Sequence, residues 1–109
     1  MIKTSRKGHC MFVFLSGEID HYASAIIRKE IEESISSRDI QTLHLDFSDV
    51  SFIDSSGVGM LIGRYKTMKE KGGGISAGGL APSVERLYRL AGLHRIIPIT
   101  ANGGIHEQE

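Results

Sequence analysis

Apolar residues along this chain switch repeatedly between a two-residue and a 3.6-residue period, and each switch marks an element. Cys10-Met11-Phe12-Val13-Phe14-Leu15 is a short run rich in β-formers, and Lys7-Gly8-His9 before it can turn a hairpin from an edge strand near Ile2 to Ser5. From Asp20 the spacing becomes helical. Ala23, Ile26, Ile27, Ile31 and Ile35 fall on one stripe, with Asp20 as the N-cap. Thr42 to Phe47 alternates apolar with polar residues and predicts a central strand that leads through Asp49-Val50-Ser51 into a turn. A second helix follows, with Val58, Leu61, Ile62, Tyr65 and Met68 as its stripe and Gly72 where a C′ glycine ends it. The stretch from Gly73 to Leu80 has the position of a strand, although four glycines weaken it. Pro82 fits the first turn of a third helix with Val84, Leu87, Tyr88 and Ala91 as its stripe and Gly92 as its stop. Arg95 to Ile99 predicts a last short strand, and residues 101–109 read as a frayed polar tail or at most a turn of helix. The alternation predicts one α/β domain over residues 1–109. Its mixed β-sheet would have right-handed crossovers, an N-terminal antiparallel hairpin at one edge and helices packed on it.

Composition narrows the function without naming it. With 109 residues, 40% of them hydrophobic, the chain can bury one core. Thirteen basic residues balance thirteen acidic ones, so no overall field draws in nucleic acid or an anionic membrane. Cys10 is the only cysteine, which excludes an internal disulfide or a cysteine metal cluster and fits a reducing compartment. No apolar run approaches the ~18 residues of a membrane span, and the first residues lead into no typical signal sequence. The expectation is a cytoplasmic protein, monomeric when free.

The candidate chemistry gathers in Phe52-Ile53-Asp54-Ser55-Ser56-Gly57-Val58-Gly59-Met60-Leu61, where an apolar strand hands an Asp-Ser-Ser-Gly turn to a helix. A phosphate on Ser55 or Ser56 would meet unsatisfied backbone N–H groups and the positive end of the helix dipole. The simpler role for either serine is capping. A serine hydrolase is disfavoured, because the turn lacks the leading glycine of a Gly-x-Ser-x-Gly elbow and no histidine lies near it in sequence. Gly57-Val58-Gly59 with Gly63 imitates a dinucleotide fingerprint, but the spacing is off by one. The expected acidic residue is also missing from Gly74 to Gly79. Gly59 and Gly63 are better read as packing glycines. The five histidines, His9, His21, His44, His94 and His106, show no paired metal spacing, and no cofactor is expected. Cys10 reads as a small edge or core hydrophobe.

Taken in order, five segments together resemble the STAS-domain anti-sigma factor antagonists, nearest to the sporulation anti-anti-sigma type. They are Gly17-Glu18-Ile19-Asp20, the turn from Phe52 to Gly59, Gly63-Arg64-Tyr65-Lys66, Arg86-Leu87-Tyr88 and Ala91-Gly92-Leu93. The resemblance runs from about Met11 to Ile97. It implies a partner switch in which the unphosphorylated antagonist binds an anti-sigma factor that is also a serine kinase, and a sigma factor is released. Phosphorylation of the first serine of the turn, here Ser55, would end the interaction, and a metal-dependent PP2C-type phosphatase would restore the hydroxyl. ATP belongs to the partner, so the chain is a substrate in both reactions and an enzyme in neither. The resemblance places Asp20 on the partner surface, together with His21, Asp54, Ser56 and Gly57. Asp54 would either orient the Ser55 hydroxyl or hold a phosphate outward. Two rivals stand beside this reading: a nucleotide-binding domain using Gly57-Val58-Gly59, and a STAS subunit of a larger stress-sensing complex. The chain departs from the family in its glycine-rich segment from Gly74 to Gly79 and in a tail too short for a full closing helix.

Overall fold

The computed structural model describes residues 1–100. The predicted tail at 101–109 lies outside the described residues. Along the chain run β1 (Ile2–Lys7), β2 (Cys10–Ile19), α1 (His21–Ser34), β3 (Thr42–Ile53), α2 (Ser55–Glu70), β4 (Gly74–Gly78) and α3 (Pro82–Leu90). A 3₁₀ turn, Leu93–Arg95, follows. The four strands form one sheet in the order β1-β2-β3-β4. β1 and β2 make the expected antiparallel hairpin, closed by Gly8 at φ 62°. β2, β3 and β4 are parallel. The fold is therefore α/β, with a mixed sheet carrying an antiparallel edge.

Two strands extend well past their predicted ends. Ser16-Gly17-Glu18 breaks the apolar run after Leu15, yet β2 continues to Ile19 through register shifts between Phe14 and Ser16 and between Gly17 and Glu18. Gly17 has φ 84°, a left-handed conformation that glycine adopts without a Cβ penalty. β3 likewise passes Phe47 and ends at Ile53. Two of the alternating polar residues of β3 are not solvent-facing. His44 and Asp46 are buried, with His44 Nδ1 2.8 Å from Ser76 Oγ on β4 and Asp46 Oδ1 accepting from Ser48 N at 2.8 Å. Despite its glycines the segment after Gly73 is a strand. Backbone pairing with β3 carries it, and the fully buried Ala77 anchors it.

The helix stripes are correct in period and partly wrong in phase. On α1, Ala23, Ile27, Ile31 and the following Ile35 are buried and Ile26 is half-buried. On α2 the buried set is Gly57, Met60, Leu61, Arg64 and Met68, while Val58, Ile62 and Tyr65 pack half-buried at the margin. The buried face is rotated because α2 packs on α1 as well as on the sheet, and Arg64 reaches Glu32 of α1. On α3 only Val84 and Tyr88 are buried. Leu87 and Ala91 are exposed, so that stripe is narrower than predicted.

The predicted last strand over Arg95 to Ile99 does not form. Its place is taken by the 3₁₀ turn and one parallel bridge, Ala77 to Ile99. Two local facts explain this. Pro98 has no N–H to donate to a ladder, and the Ile97 carbonyl is occupied by the Tyr88 hydroxyl, which donates to it at 2.6 Å. Tyr88 is fully buried and meets Phe47 edge-on at 5.8 Å between ring centroids. Burial pushes its hydroxyl pKa above the ordinary tyrosine range. Tyr88→Phe should therefore cost about 1–3 kcal/mol by stranding a buried carbonyl. Because the folded state holds that proton more tightly, the wild type should also lose stability as pH rises beyond the unfolded pKa of about 10. Urea denaturation of both proteins across this range checks both points, and the variant should show the shallower decline.

Candidate functional site

The parallel pairing of β2 and β3 brings their C-terminal ends side by side, with Ile19 opposite Ile53, and each strand passes directly into a helix. Two helix N-termini therefore open at the same place. Asp20 caps α1, its Oδ1 accepting from Ala23 N at 2.9 Å, and Asp54 caps α2, its Oδ1 accepting from Gly57 N at 3.0 Å. Both caps are extended, with φ −96° and ψ −170° at Asp20 and φ −101° and ψ −173° at Asp54. The starts are joined, since Asp54 N donates to Ile19 O at 3.2 Å.

This geometry removes capping from the roles open to the serines. Asp54 does the capping, so Ser55 and Ser56 occupy the first two positions of α2 with their hydroxyls free of that task. Ser55 is exposed. Ser56 is half-buried, with Oγ 3.2 Å from Nδ1 of the exposed His21. Asp54 caps the helix through Oδ1, which is aimed back at the Gly57 amide. Sequence separation hid the histidine: His21 lies 35 positions from Ser56, and folding places it there. A serine–histidine contact is not by itself a hydrolytic site. Here Asp20 Oδ1 is committed to its own helix, and the turn has no nucleophile elbow.

Gly57 is where two backbones meet. A Cβ on it would lie 2.8 Å from Ile19 O, 2.8 Å from Ile53 Cγ2 and 2.9 Å from Ile19 Cγ2. Gly59 and Gly63, the predicted packing glycines, face open space by the same measure, so that expectation is corrected. The close approach is set by the junction of the two strand ends and not by the helix flank. All the site residues expected from the sequence, Asp20, His21, Asp54, Ser55, Ser56 and Gly57, are thus on the first turns of two adjoining helices or their caps.

Sequence reasoning missed two neighbours. Tyr22 is 72% exposed on the first turn of α1, and Phe52 is 42% exposed two residues before Asp54. Large exposed aromatics flanking a polar site supply contact area to a protein partner. Their signals differ: Tyr22 stands off the apolar stripe of α1, whereas Phe52, two residues after the buried Val50, reads in phase with it and is turned outward only by the extra residue Ser51 in the pairing of β3 with β2. Among the described residues, no group of three or more His, Cys, Asp or Glu side chains is placed to hold a metal ion.

Known proteins resemble this chain in sequence and in fold. Residues 1–104 match the STAS domain family. The chain is 39% identical over 92 residues to the anti-sigma F factor antagonist of Paenibacillus polymyxa, covering 84% of this chain and 79% of that one. It is 33% identical over 95 residues to the anti-sigma-B factor antagonist of Bacillus subtilis (strain 168), covering 85% of each. Among solved structures it resembles the anti-sigma factor antagonist SpoIIAA in its unphosphorylated form, with a TM-score of 0.69, 26% identity and 83% of both chains covered. A mixed sheet with an antiparallel edge and two capped helices rising from neighbouring parallel strands defines the class, and this chain belongs to the STAS domain family. The relatives named here are regulators and not enzymes, in keeping with the non-enzymatic reading.

The two kinds of glycine on α2 should respond oppositely to alanine. Gly57→Ala must displace a backbone oxygen and should destabilise by about 1–3 kcal/mol. Gly59→Ala meets no neighbour inside a helix and should stabilise by about 0.5–1 kcal/mol. Chemical denaturation of the two variants beside the wild type checks the signs.

Proposed function

We propose that this chain is an anti-sigma factor antagonist working by partner switching in the cytoplasm. The unphosphorylated chain binds an anti-sigma factor that is also a serine kinase and thereby frees a sigma factor, a positive effect on transcription of the sporulation type. Phosphorylation of Ser55 ends binding, and a PP2C-type phosphatase reverses it. The observation that carries the reading is the position of Ser55, exposed at the first position of α2 while Asp54 holds the helix cap. A kinase can reach this hydroxyl without opening the fold, and the fold does not need the hydroxyl. The names of the relatives from Paenibacillus polymyxa and Bacillus subtilis support the class of partner. Among the described residues, no helix is long and apolar enough to cross a membrane.

The energetics suit a switch at the surface. Phosphoserine adds roughly −1.5 to −2 charges and three acceptor oxygens. At this position the positive end of the α2 dipole offsets part of that charge within the free chain. In a complex, the same charge would be buried against a partner between two carboxylates, Asp20 and Asp54, with Tyr22 and Phe52 beside them. Going from mostly bound to mostly free requires about 5.5 kcal/mol of differential affinity, within reach of a desolvated charge facing apolar or acidic groups. The nucleotide-binding rival is disfavoured at Gly57, whose N–H already donates to Asp54 Oδ1 at 3.0 Å and is not free for a phosphate.

Intact mass spectrometry with site mapping, after incubation with the cognate anti-sigma kinase and Mg-ATP, tests the reading beside Ser55→Ala. The expected result is one added phosphoryl group on Ser55, absent in the variant and accompanied by loss of kinase binding. Unmodified protein that still binds the kinase would instead mark a STAS adaptor outside its control.

A further inference from the structure

Between α1 and α2, next to the paired helix starts, lies an open groove of about 360 Å³ whose lining includes His21, Ser24, Arg28, Ser56 and Arg64. The polar groups on its floor are unusual for such a position. Arg64 and Ser24 are 7% and 6% exposed. Neither Ser24 Oγ nor Arg64 Nη1 has a hydrogen-bond partner among the described residues. Arg64 Nε lies 2.8 Å from Glu32 Oε2, an ion pair without hydrogen-bond alignment. That carboxylate is shared, because Thr67 Oγ1 donates to Glu32 Oε2 at 2.9 Å.

The charges do not balance within the groove. Arg28 is close enough to Arg64 to repel it electrostatically, and Glu32 is the carboxylate set against Arg64. Burial lowers the Arg64 pKa, with Glu32 opposing this and Arg28 adding to it. Stranding buried donors costs free energy, and a surplus of guanidinium charge over carboxylate favours an anion. The lining brings two guanidinium groups, the Ser56 hydroxyl and the His21 imidazole to one groove, with the Ser24 hydroxyl buried beneath it. A tetrahedral anion with several acceptor oxygens uses such a set better than a planar carboxylate with two.

We propose that the α1–α2 groove is a binding site for a small phosphate oxyanion, either inorganic phosphate or the phosphoryl end of a small phosphomonoester, with Arg64 and Arg28 as its principal ligands and Ser24 beneath them. Ser55 is not in the lining, so the site stands independently of modification at that residue. Its mouth nevertheless touches Ser56 and His21, which places a bound anion beside the partner surface proposed above.

Titration of the full chain with inorganic phosphate, followed by amide and arginine Nε–H NMR, tests the site. Saturable shifts at Ser24, Arg28 and Arg64 are expected, with a dissociation constant of about 1 mM or tighter. Arg28 is exposed, so Arg28→Gln should fold normally and bind about tenfold more weakly. Ser24→Ala should also weaken binding, while Ser55→Ala should bind like the wild type. Glycerol 3-phosphate in a parallel titration separates the two sources. Tighter binding than phosphate assigns the groove to a phosphomonoester, and equal or weaker binding assigns it to inorganic phosphate. Absence of saturable shifts at these residues, or Arg28→Gln binding as well as the wild type, would overturn the proposal.

Discussion

Everything at the paired helix starts depends on the parallel pairing that sets Ile19 against Ile53. Parallel strands carry their C-terminal ends to the same edge, and in this chain both continue into helices after a single capping residue. Shortening either strand by one residue would turn its helix start away from the other. The register is secured by the extra residues that β3 carries at its two register shifts against β2, by the Asp54 amide on the Ile19 carbonyl and by the absence of a side chain at Gly57. Gly57 is a constraint of shape. The start of α2 sits so close to the end of β2 that even a methyl group has no place.

That closeness divides the labour among residues that look equivalent in sequence. In the Asp-Ser-Ser-Gly turn, Asp54 satisfies the helix amide, Gly57 permits the approach, Ser56 turns toward His21, and Ser55 is left at the surface. The same division repeats at Asp20, where the carboxylate caps α1 and leaves His21 and Tyr22 outward. A polar residue that carries a structural duty is poorly suited to change, whereas Ser55, with no such duty, is free to be modified. Structural duty and exposure thus fall on different side chains within one four-residue turn.

Much of this was legible in the sequence because it rests on local rules. Asp20 before an apolar 3.6-residue stripe, the Gly8 hairpin, Pro82 opening α3 and Gly72 and Gly92 closing helices all act within a few residues, and each is found as expected. What the sequence concealed depends on partners distant along the chain. The extension of β2 through Ser16 and Gly17 requires β3 beside it. The inward turn of Arg64 requires Glu32, and the loss of the last strand requires the Tyr88 hydroxyl at Ile97. The packing glycine was misplaced for the same reason, since Gly59 and Gly63 look like helix-flank contacts while the collision awaits at Gly57 with a strand end nearly forty residues earlier. The contact of His21 with Ser56, 35 positions apart, had no local signal either.

The central claim is that charge at Ser55 alters the surface and leaves the fold intact. Amide NMR of the chain carrying phosphoserine at position 55, compared with the unmodified chain, tests it most directly. The account predicts shift changes confined to the first turns of α1 and α2 and to the strand ends beneath them, with the amides of Ile31, Leu45 and Val84 unmoved. Changes spreading through the sheet core or into α3 would contradict it.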